Sequence, residues 1–110
     1  GIGEQPALTH VRDFGVTCFT SGCVCIAPAL SMKMLAALRA CDYEEVNRIR
    51  GIFKPLEDLR NEINPVRVLH AAVHEAEIAL TGPLLPFMSD VNAAQREQIG
   101  TVAKALLGQR

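Results

Sequence analysis

His70 and His74 stand four residues apart, the spacing that places two imidazoles on one face of a helix. Glu75 and Glu77 follow closely, so the group has the outline of half a zinc site. Zinc needs a further ligand, and the His-Glu-x-x-His pattern is absent, so solvated or core-edge histidines are the better reading. No metal is assigned. Four cysteines, Cys18, Cys23, Cys25 and Cys41, would suffice for two disulfides in a small secreted domain. They show neither a zinc-type Cys-x-x-Cys pair nor a repeated spacing. Three lie in or near an apolar stretch, where free cysteine packs as a small hydrophobe. The expectation is therefore buried free thiols in a reducing cytoplasm. The charged runs Asn47-Arg48-Ile49-Arg50 and Glu57-Asp58-Leu59-Arg60 alternate in sign and read as a solvated helix face.

The elements that must position such residues are mostly helical. Residues 4–13 form a short helix with Pro6 in its first turn and Ala7, Leu8 and Val11 as its apolar stripe. Gly15 ends it. Val16 to Thr20 is apolar at nearly every position, as buried parallel strands are, and Ser21-Gly22 is a turn. Cys23 to Ala27 is strand continuation or loop. A second helix runs over 28–40, with Leu30, Met34, Leu35 and Leu38 on one face. Asp42 and Glu45 form a capping box for a third, which carries Val46, Ile49, Phe53, Leu56 and Leu59. Pro55 should kink or split it. Asn64-Pro65 opens a fourth helix with Val66, Leu69, Val73 and Ile78. Thr81 to Pro86 is an extended link, barred from helix by two prolines and a glycine. Asn92 and Gln95 cap a fifth helix, with Ile99, Val102, Ala103 and Leu106 buried and Gly108 as its stop.

One strand among helices is the most informative feature. A lone strand cannot satisfy its own backbone, so it implies strands supplied from elsewhere, in a larger sheet protein. The chain has 110 residues, of which 49 % are hydrophobic, which excludes a disordered tail. Eleven basic and twelve acidic residues leave a net charge of −1 and no general pull toward nucleic acid or anionic membrane. No apolar run approaches the roughly 18 residues of a spanning helix. The start, Gly1-Ile2-Gly3-Glu4, has neither an initiator Met nor a signal-peptide pattern and reads as a cut inside a domain.

The order of these motifs resembles the C-terminal part of the dihydrodipicolinate synthase / N-acetylneuraminate lyase family. The likeness is carried by Gly-x-Gly-Glu at 1–4, then Gly15-Val16-Thr17-Cys18-Phe19-Thr20-Ser21-Gly22, then the helix opened by Pro28. Cys41-Asp42-Tyr43, Lys54-Pro55-Leu56, Pro65-Val66-Arg67 and the link from Gly82 to Pro86 continue it over nearly the whole chain. Gly-Glu together with Thr-Ser-Gly looks closer to the hydro-lyase and aldolase members than to the lysine-pathway synthase.

The resemblance implies an α/β parent fold, a (β/α)8 barrel of about 250 residues with a helical extension. This chain would hold helix seven, strand eight and helix eight within 1–40 and the extension within 41–110, and would itself be predominantly α-helical. The implied chemistry is a Schiff-base aldol reaction of 2-oxo acids such as pyruvate: a strand-six Lys forms the imine and a strand-five Tyr moves protons. Neither residue lies in this chain. Lys33, Lys54 and Lys104 fall in helices, where a solvated ammonium is a poor imine former, and Tyr43 opens a helix. No catalytic residue is therefore assigned here, and no cofactor is implied.

Substrate-binding residues implied by the match are Gly3, Glu4, Thr17, Thr20, Ser21 and Gly22, at the C-terminal ends of strands seven and eight. Gly3 would let the backbone approach a substrate carboxylate. Glu4 would orient a substrate hydroxyl or, alternatively, simply favour a helix N-terminus. Thr17 would offer its carbonyl to the Schiff-base Lys. Thr20, Ser21 and Gly22 would border the substrate or form a tight turn. The expected partners are the missing N-terminal barrel portion, a 2-oxo acid and further copies of the chain. Nucleic acid and membrane are not expected. The alternatives are a non-catalytic helical interaction module derived from the barrel, and an unrelated helical regulator, which would leave the strand unexplained.

Overall fold

A computed structural model describes residues 3–109, and these are predominantly α-helical. Helix α1 spans Glu4–Phe14, and a 3-10 turn follows at Cys23–Cys25. Next come α2 at Pro28–Arg39, α3 at Tyr43–Glu62, α4 at Pro65–Glu75 and α5 at Ala93–Leu107. The longest helix, α3, packs against each of the other four, and α4 lies along α5. Its buried stripe of Val46, Ile49, Phe53, Leu56 and Leu59 is the middle of the core. Met34 and Leu38 of α2 join it from one side, and Val68 of α4 with Ile99 and Ala103 of α5 from the other.

Local sequence sets most boundaries. The Asp42 side chain accepts the Glu45 N–H, and that of Asn64 accepts those of Val66 and Arg67. Asn92 and Gln95 complete a reciprocal capping box at α5. Gly15 ends α1 in the left-handed region, at φ 68°.

Four expectations need correction. The strand over Val16–Thr20 does not form among the described residues. The segment is irregular: the Gly3 N–H donates to the Thr20 carbonyl at 2.6 Å, and the Val16 N–H donates to the His10 carbonyl of α1 at 3.2 Å. A ladder needs a neighbouring strand, and the helices supply none. Pro55 neither splits nor ends α3. The carbonyl it leaves without a helical donor belongs to Gly51, an exposed residue, where water can serve it. The buried face of α4 is Val68, Ala71 and Ala72, whereas Val66 is exposed and Ile78 lies beyond the helix and is exposed too. Leu69 and Val73 pack partly buried against the core, as their spacing predicts, and the small alanines between them take the closest positions. All four cysteines are free, but only Cys23 is buried.

Candidate functional site

Helix α1 begins without a local cap. Its N-cap is Gly3, which has no side chain to accept the orphan N–H groups of the first turn. The acceptor comes instead from α3. Glu57 Oε1 accepts the Glu4 N–H at 2.8 Å and Oε2 accepts the Gln5 N–H at 3.0 Å. Two further bonds join the same turn to α3: Gln5 Nε2 donates to the Arg50 carbonyl at 2.6 Å, and Arg50 Nε to the Gln5 carbonyl at 3.0 Å. A carboxylate that accepts backbone N–H groups at a helix start also meets the positive end of the helix dipole.

The Glu4 side chain points the bonding onward. Its Oε1 accepts Ser31 Oγ–H of α2 at 2.8 Å, and its Oε2 accepts Ser21 Oγ–H at 2.6 Å. Ser21 Oγ in turn accepts the Val24 N–H at 3.2 Å, which caps the 3-10 turn. Glu4, Ser31, Cys23 and Glu57 are all buried. Burial, and after it the charge of Glu4, pushes the Glu57 carboxyl above the usual range, against the pull of the two N–H groups. Burial pushes the Cys23 thiol up as well, with the Glu4 and Glu57 charges adding to it. Ser21 and Ser31 line a surface depression of about 330 Å³ with Phe19, Thr20, Val24, Met32 and Leu35. The lining thus mixes hydroxyls, two of them bonded to the Glu4 carboxyl, with apolar side chains.

The structure brings four of the six candidate residues together. Gly3 bonds Thr20 through the backbone, and Glu4 bonds Ser21 through side chains. Thr17 lies apart, on a different depression that it lines with Val16, Arg39 and Tyr43. Gly22 has an ordinary φ of −77°, and a Cβ there would collide with the Leu69 side chain, so close packing on α4 accounts for it. His70 and His74 do not converge on a metal-ligand group: His70 Nε2 sits 3.3 Å from the Thr81 carbonyl, and His74 borders a separate depression beside Glu75 and Lys104. Glu4, Cys23 and Glu57 can each present one ligand atom within 4.8 Å of the others. However, all four of their carboxylate oxygens already accept N–H or O–H donors, which a metal would have to displace.

Glu57 was expected on a solvated face and is 2 % exposed. It stands four residues after Phe53 and eight after Ile49, so helical periodicity alone puts it on the buried stripe. Ser31 is three residues before Met34 and seven before Leu38 and carries the same signal.

No family model matches the chain, and neither does any curated protein or solved structure.

Proposed function

We propose that this chain is the C-terminal portion of a lyase or hydro-lyase acting on 2-oxo acids by Schiff-base chemistry, of the dihydrodipicolinate synthase type. The observation that carries the reading is the bond from the Gly3 N–H to the Thr20 carbonyl. The motif order reads these residues as the ends of two successive strands of a parallel barrel, where neighbouring strand ends lie side by side. Glu4 and Ser21, one residue further along each, are bonded too. The irregular, largely exposed segment 15–20 suits an edge that neighbouring strands would cover.

On this reading the chain helps shape the substrate site and does not carry the nucleophile. Lys33 pairs with Glu45 and Lys54 with Asp58, both at the surface, and Lys104 is exposed on α5. Exposed lysines lack the desolvating pocket that activates an imine former, so on this reading the imine-forming lysine belongs to the N-terminal barrel portion. A helical interaction module is the second reading, favoured by the exposed Leu80, Leu85 and Phe87 of the link between α4 and α5.

Borohydride trapping separates the two. The native preparation is treated with pyruvate and then borohydride, and intact masses are recorded. The expected result is a pyruvyl adduct on a companion chain while the 11.9 kDa chain stays unmodified. An adduct on this chain, or none at all, would overturn the enzymatic reading.

A further inference from the structure

Glu57, the acid that caps α1, faces a second acid, Glu4, at the start of that helix. They are 2 % and 0 % exposed, and each presents a carboxylate oxygen within 4.8 Å of the other's. Two carboxylates so close in a low-dielectric interior do not both stay charged without a cation. Among the described residues neither makes an ion pair. The nearest cation is Arg60, whose charge reaches the Cys23 thiol and whose Nε is buried without a hydrogen bond, but it forms no ion pair with either acid. On α3, the Arg60 guanidinium bonds Asn61 Oδ1 at 3.0 Å, and that of Arg50 bonds Asn47 Oδ1 and the Gln5 carbonyl. The 3-10 turn presents the thiols of Cys23 and Cys25, and α2 presents the neutral hydroxyl of Ser31.

We propose that Glu4 and Glu57 hold a single proton between them, and that this proton locks the first turn of α1 onto α3. When it leaves to solvent at rising pH, two anions face each other and α1 is released, along with the Gly3–Thr20 and Glu4–Ser21 contacts. The device rests on the bonding of these five residues and holds whatever reaction the chain serves.

The direction of the pH dependence follows. The ordinary Glu value is about 4.5. Above it the unfolded chain releases both while the folded pair keeps one. Stability therefore falls as pH rises, until the folded pair loses its proton at the raised value of Glu57. One retained proton corresponds to a roughly tenfold rise in the unfolding constant per pH unit. Glu45 acts with the opposite sign in a separate window. A hydrogen bond from Arg48, aided by Lys33, holds it at about 2, so its contribution is lost as pH falls from about 4.5 through that value.

Urea unfolding of the whole chain from about pH 5 to about pH 8 tests the proposal in the wild type and in Glu4→Gln, with and without EDTA. The Gln amide can donate to Glu57 without titrating. The expected result is a wild-type unfolding constant that climbs with pH close to tenfold per unit over part of the range, and a markedly flatter profile for Glu4→Gln. Parallel profiles would overturn the proposal. So would a loss of stability in EDTA, which would mean that a cation neutralises the pair. Should Glu4→Gln fail to fold, the glutamate carboxyl carbons of the wild type are titrated by 13C NMR. One must keep its proton well above about 4.5, and ordinary titration of every glutamate would refute the shared proton.

Discussion

At the residue scale, Gly3 and Gly15 both hold positive φ, yet alanine should affect them differently. Gly15 has φ 68° and ψ 22° with open space where a Cβ would stand. Gly15→Ala is expected to cost about 1 kcal/mol, the left-handed penalty alone. Gly3 has φ 87° and ψ 168°, a region essentially reserved for glycine, and a Cβ there would fall on Glu57 Oε1. Gly3→Ala should therefore cost at least about 3 kcal/mol, from strain plus the loss of the two Glu57 hydrogen bonds to the α1 N-terminus. Urea unfolding compares the two, and equal losses would show that Glu57 does not cap α1. The sequence reads the glycine before Glu4 as a point of close approach to a substrate carboxylate; the group that approaches it within the chain is the Glu57 carboxylate, which nothing local indicates. Glu57 sits in a run of charges, and only its register on the Phe53 stripe hints that it turns inward.

At the element scale, caps written in the sequence place helix starts well. Asn92→Ala removes the capping box of α5 and should cost about 1 kcal/mol, with Asn92→Asp restoring most of it, as thermal unfolding followed by circular dichroism would show. A stability unchanged by Asn92→Ala would mean that packing on α4 alone holds the α5 start. Periodicity was less informative where residues are small. On α4 the sequence favours Val66, Leu69, Val73 and Ile78; Leu69 and Val73 do pack on the core, but Val66 and Ile78 are exposed and Val68, Ala71 and Ala72 take the fully buried positions. The apolar stretch at 16–20 has the composition of a strand, but a strand exists only as part of a ladder. Among the described residues its backbone bonds to Gly3 and His10, and neither belongs to a strand.

At the scale of the whole molecule, α3 is the axis on which the other helices pack, and the 76–92 region is the least covered part. Leu80 and Phe87 there are 93 % and 95 % exposed, while Arg67 anchors the link through the carbonyls of Ser89 and Asp90. Sedimentation of the isolated chain should show self-association, weakened in a Leu80→Ser/Phe87→Ser double variant whose helices are intact. A monomer at high concentration in the wild type would contradict this. By itself the sequence determined the helix starts, the caps, the apolar stripe of α3 and the helical character of the chain, because these depend on residues within a few positions of one another. Tertiary structure alone decided that Glu57 reaches α1, that Ser21 and Ser31 converge on Glu4, and that Thr17 stands apart. Those contacts join residues far apart in the chain. Their bonding depends on how the helices are set against one another, and no local pattern encodes that.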